Sequence, residues 1–195
     1  MAELLVVCGE AVWPDGGGGR AAALVEALAA RFAVRVLAPA GGPQPAGVGV
    51  DGLPDEEPAA RLVSLLSPLS GAGRAQLGPR RGQALLQAVA DHRPRAVVFT
   101  GGHLAAAAPT IDLPVFVDFP TLAVHGRGLE ALKARWWEAV EARRAAAVTA
   151  ASPDDVALLT SWGARALLVA DGSSAAAWGP LADAVEEVVR VPAGP

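Results

Sequence analysis

Four consecutive glycines, Gly16 to Gly19, are followed at once by Arg20 and an alanine-rich run. Residues of this type can do one kind of chemistry well. Without side chains, the backbone N–H groups approach an anion closely, and a helix that starts immediately afterwards adds the partial positive charge of its N-terminus. Arg20 adds a forked donor suited to phosphate or carboxylate. Gly16, Gly17, Gly18, Gly19 and Arg20 are therefore candidate ligand-binding residues, against the alternative of a glycine loop that holds nothing.

Two further residues lie where apolar runs end. His103 follows "AVVFT", and Asp118 lies near the end of "VFVDF". In parallel α/β proteins, ligands collect at the carboxyl ends of strands, so both are candidate catalytic residues. Asp118 would offer a carboxylate to an acceptor hydroxyl; the alternatives are a bracing Asp and a solvated His. His92, at the end of a surface helix, receives no role, and His125, in "VHGRG", reads as an exposed loop residue ahead of a functional one. Cys8 ends the first apolar run with no cation in view and reads as a small core residue.

The better-known phosphate loops do not fit. A Walker A loop needs a Lys and a Ser or Thr after its last glycine, where this chain has Arg20 and alanines. A dinucleotide fingerprint can be laid on Gly16, Gly18 and Ala21, but it lies too far beyond Cys8, and "VLAPA" lacks the acidic residue that would hold a ribose.

The elements that must position these residues alternate short apolar runs with helical patterns. The strands expected are Leu4 to Cys8, Val34 to Ala38, "VGVDG", "RLVSLL", Ala96 to Thr100, Val115 to Phe119, a run around Val148, and Ala166 to Ala170. Alternation of this kind predicts an α/β fold: a single Rossmann-like domain over residues 1–195, whose mainly parallel sheet of about six or seven strands carries helices on both faces. Helical spacing places Leu24, Leu28 and Phe32 on one buried face. It does the same for Leu129, Leu132, Trp136 and Val140, with Lys133, Arg135 and Glu141 opposite. Ser152 and Pro153 open a further helix that Gly163 ends. A last helix, Pro180 to Val189, presents Leu181, Val185 and Val188. Pro39 to Gly49 and Ser67 to Gly82 read as loops.

Composition narrows the partners. The 195 residues are 52% hydrophobic and 18% charged, with a net charge of −4 and one cysteine. That is enough for a full core, provides no electrostatic footprint for nucleic acid, and excludes an internal disulfide. No apolar run reaches a membrane span, and the expected location is cytoplasmic. No metal-ligand cluster is visible.

As a series, "LLVVCGEAVWPDGGGGRAAALVEALAARFAVRVLAP", "RPRAVVFTGG", "LPVFVDFPTLAVHGR" and "WWEAVEARRAAAVTAASPDDVALLTSWGA" resemble GT-B glycosyltransferases, in particular the retaining family 4 type, N-terminal domain only. The resemblance makes Ser152 a further ligand-binding candidate. It implies no resident cofactor beyond a sugar nucleotide shared with a partner chain. In that family a "PNG" turn leads into a donor-binding domain; here the turn reads "VADGSSAAAWG" and the chain ends soon after. Three readings stay open: an acceptor-side half that needs a donor-binding subunit or has lost catalysis, a nucleotide or small-molecule binding module, and a structural domain closed by another copy of itself. A homodimer or heteromer is expected, with Trp13, Trp137 or Trp178 at the cleft rim.

Overall fold

A computed structural model describes residues 3–9, 12, 19–39, 47–55, 79–101, 111–122 and 126–190. Among these residues, seven strands form one sheet: β1 (Leu4–Cys8), β2 (Val34–Ala38), β3 (Gly49–Gly52), β4 (Ala96–Thr100), β5 (Val115–Phe119), β6 (Ala147–Ala150) and β7 (Ala166–Leu168). Their order is β3-β2-β1-β4-β5-β6-β7, and every neighbouring pair is parallel. The order reverses between β1 and β4, which makes the carboxyl ends of those strands the expected crevice. "RLVSLL" and the glycines Gly16 to Gly18 lie outside the described residues, as do His103, His125 and Trp13.

Among the described residues, five α-helices cover the sheet: α1 (Arg20–Ala29), α2 (Pro79–His92), α3 (Leu129–Arg144), α4 (Pro153–Ser161) and α5 (Gly179–Val189). A 3-10 turn, Ala175–Trp178, leads into the last. Because successive strand residues point to opposite faces, the near-continuous apolar runs feed two cores. Leu4, Val6, Val36, Val98 and Phe116 pack under α1 and α5. Leu5, Val7, Val97, Phe99 and Val117 pack under α2, α3 and α4.

Most of the helix readings hold. Leu24, Leu28 and Phe32 are buried, and so are Leu181 and Val185, so α5 folds back onto its own sheet. Ser152 caps α4, its Oγ accepting from the Asp155 N–H at 3.1 Å, with Pro153 at the first helical position. Gly163, just beyond that helix, has φ 91°, a conformation that costs other residues a clash at Cβ. Pro79 to Gly82 belong to α2 rather than to the preceding loop.

One helix reverses the expectation. In α3 the buried residues are Ala134, Glu138, Glu141 and Ala142, whereas Leu129, Leu132 and Trp136 are 58%, 60% and 57% exposed. Glu141, expected on the solvent side, faces inward at 3% exposure. The connection fixes this rotation. Immediately after the helix the Ala146 N–H bonds the Val115 carbonyl at 2.7 Å and β6 begins, so the last helical turn must set Ala142 on the sheet whatever lies on the far side.

Candidate functional site

Asp118 and Thr149 are register partners on β5 and β6, so their side chains leave the sheet on the same face, the one covered by α1 and α5. The Thr149 hydroxyl donates to Asp118 Oδ1 at 2.7 Å. A carboxylate in an apolar strand needs a counter-charge, since an unpaired buried ion is expensive. Arg20, the first residue of α1, supplies it. Its Nε and Nη2 donate to Asp118 Oδ2 and Oδ1 at 2.9 and 2.7 Å, a two-pronged pair spanning 98 residues of sequence. Arg20 Nη1 donates to the Val169 carbonyl, just past β7, at 3.0 Å.

Trp178 closes the arrangement. The guanidinium carbon of Arg20 lies 4.8 Å from the indole centroid, within cation–π range, and the indole N–H donates to the Gly172 carbonyl at 3.1 Å. Trp178 is fully buried, which corrects its placement at an open cleft rim. Its burial follows from α5: once Leu181 and Val185 dock on the sheet, the turn before them must cross the carboxyl edge.

The carboxyl edge thus carries Gly19, Arg20, Asp118 and Thr149 around one charged centre. The Arg20 side chain is 21% exposed and that of Asp118 only 3%. Three of the five guanidinium N–H groups are taken by Asp118 and Val169; the others are available at the rim among the described residues. Gly19 caps α1 with extended backbone and no side-chain bond, and no acidic residue sits in the first helical turn. Ser152 is also at this end, with its hydroxyl used as a cap.

Sequence reasoning named Arg20 and Asp118 separately, one for an anion and one for a hydroxyl; the structure joins them. It missed Thr149 and Gly172, and set Trp178 at a partner-facing rim rather than against Arg20. The available signal was a charge in the otherwise apolar "VFVDF", which needs a partner. Gly172 is part of the fit: a Cβ there would lie 2.8 Å from Arg20 Cγ and 2.9 Å from Cζ. Gly172→Val is therefore expected to destabilise by about 1–3 kcal/mol, read from urea unfolding. An unchanged midpoint would mean that Arg20 is not held where it is described.

The other candidates fall elsewhere. Cys8 is 1% exposed, and burial pushes its thiol up to about 12, so it stays protonated as an inert core residue. His92 Nε2 meets Asp51 Oδ2 at 2.7 Å, and the Arg35 guanidinium, ahead of His92, holds the Asp51 carboxyl below its ordinary range. These residues adjoin a cavity of about 550 Å³ lined by Arg35, Gly47, Asp91, His92 and Arg93, at the opposite, amino-terminal edge of the sheet.

The fold and site define a Rossmann-like α/β protein with a charged centre at the strand-order reversal. The family described as "Glycosyl transferase 4-like domain" matches residues 15–172, and the chain belongs to that family. No curated protein matches the sequence. Among solved structures, the chain is similar to sucrose-phosphate synthase from Thermosynechococcus elongatus: TM-score 0.58 and 16% identity, covering 86% of this chain and 47% of that one. It is also similar to UDP-N-acetylglucosamine 2-epimerase from Rickettsia bellii, with TM-score 0.54 and 8% identity over 88% and 45% of the two chains. For UGT2 from Phytolacca americana, complexed with UDP-2fluoro-glucose and pterostilbene, the values are 0.51, 13%, 86% and 53%. At these identities the likeness is one of fold, an N-terminal-like part of the GT-B architecture. The chain spans about half the length of these structures.

Proposed function

We propose that this chain is the acceptor-side half of a sugar-transfer site, completed by a donor-binding half on a separate chain or elsewhere in a longer protein. The observation that carries the reading is the Arg20 centre at the carboxyl edge, in a chain that belongs to the transferase family and spans about half of its structural neighbours. Gly19 and Arg20 form the anion-facing wall in this proposal, and Gly16 to Gly18, which precede them in sequence, are proposed to bind the same ligand. Asp118 orients the guanidinium and leaves its outer N–H groups toward the ligand; Ser152 lies at the same edge, and His103, which follows β4 in the sequence, is a further proposed catalytic residue. In a two-lobed transferase one lobe positions the acceptor and the other neutralises the nucleoside diphosphate leaving group. Half of such a cleft holds an acceptor but lowers the barrier little.

The test is turnover with and without the second half. Release of nucleoside diphosphate from a panel of uridine and guanosine diphosphate sugars is expected to stay at background with the chain alone, and to rise when a donor-binding half is added. Arg20→Ala should weaken the reconstituted reaction. Transfer by the chain alone would refute the half-site reading. Thermal stabilisation by a nucleotide sugar without turnover in either condition would replace it with a binding module.

A further inference from the structure

The outward face of α3 has no role in the site described. Leu129, Leu132 and Trp136, at i, i+3 and i+7, form a single stripe, each more than half exposed, and half-buried Val140 continues it for about 16 Å along the helix. Trp136 is braced edge-on by Trp137, with ring centroids 4.9 Å apart. Lys133, Arg135, Arg143 and Arg144 flank the stripe, the three arginines exposed. Of the helix's three carboxylates, Glu138 and Glu141 are turned to the sheet, so Glu130 alone faces solvent from α3. A basic face on a chain of net charge −4 is a local segregation of charge.

We infer that this face of α3 docks on an anionic lipid surface. An interfacial helix needs an aromatic and aliphatic stripe that enters the headgroup boundary, with Lys and Arg beside it to meet the headgroups, and α3 has both. The stripe is a convex row on one helix, which suits a deformable surface. Two copies meeting through α3 would set its cations against one another, so charge complementarity selects an acidic surface rather than a second copy. Leu129 begins the helix after β5, so docking brings the carboxyl edge of the sheet close to the membrane. The inference requires no sugar transfer by the chain.

Co-sedimentation of the purified chain with vesicles of phosphatidylcholine and phosphatidylglycerol, and with phosphatidylcholine alone, tests it. Binding is expected to the anionic vesicles, with a blue shift of tryptophan emission, and to weaken as salt is raised. Each basic residue near such a surface contributes about fivefold in affinity. Arg135→Glu with Arg144→Glu should therefore lower binding by about tenfold or more, and Leu132→Ser with Trp136→Ser should abolish the blue shift. These positions are exposed, so both variants should keep the parent's unfolding midpoint. Absence of binding to anionic vesicles, equal binding to neutral ones, or variants that bind like the parent would each overturn the inference, as would a face that recognises only a soluble protein.

Discussion

Replacing Glu141 by glutamine is expected to raise the stability of the protein at neutral pH and to remove much of its pH dependence. The Glu141 carboxyl is 3% exposed, and neither oxygen has a hydrogen-bond partner among the described residues. Burial, reinforced by the charge of Glu138 one turn earlier, pushes its pKa from 4.5 up to about 9. The folded state therefore keeps a proton that the unfolded chain releases above about pH 4.5. Its contribution is fully present below that pH and is lost progressively as pH rises toward 9. One proton of difference corresponds to somewhat more than about 1 kcal/mol per pH unit, or roughly 3 kcal/mol between pH 5 and pH 7. Glu141→Gln keeps the volume and a neutral buried polar group, so the difference between the two proteins isolates the charge. Urea unfolding at a series of pH values from 5 to 8 should show the parent falling away from the variant. Parallel curves would mean that water or a counter-charge reaches Glu141.

The second large effect concerns the pair beneath Trp178. Arg20→Ala would strand a carboxylate that is 3% exposed with Thr149 as its remaining side-chain partner among the described residues, and would also remove the guanidinium packed on the indole. Asp118→Ala would strand a cation that is 21% exposed and better able to reach water. Each change is expected to cost about 3–5 kcal/mol, the first at the upper end, because a partner removed from a buried pair leaves an uncompensated charge. The double variant should cost less than the sum by roughly 2–3 kcal/mol, since no charge is then stranded. Additive costs in a double-mutant cycle would show that Arg20 and Asp118 act independently, and would remove the basis for assigning Asp118 an orienting role.

Those two results probe the points where sequence and structure part company. Central strands were legible because they are covered on both faces: "LLVVC" and "VFVDF" cannot be stable unless both sides are buried, and that requirement implies a parallel sheet with helices above and below. The cap at Ser152, the stop at Gly163 and the returning helix with Leu181 and Val185 were legible for a similar reason, since each depends on a few neighbouring residues.

What no local pattern contained was the rotation of α3 and the partnership of Arg20 with Asp118. The apolar stripe at Leu129, Leu132 and Trp136 states a preference for burial, but the tether from Arg144 through Ala146 into β6 determines which side meets the sheet, and there it overrides the preference and turns Glu138 and Glu141 inward. The ion pair joins residues 98 positions apart, so its existence depends on strand order. Only when β5 lies two strands from β1 does the first residue of α1 come within reach of Asp118. Sequence alone thus determined the layers and the ends of elements, which follow from short-range sterics and two-sided burial. Tertiary structure decided which charges meet and which face of α3 remains in solvent, because those depend on how the whole sheet is ordered and where each connection must return.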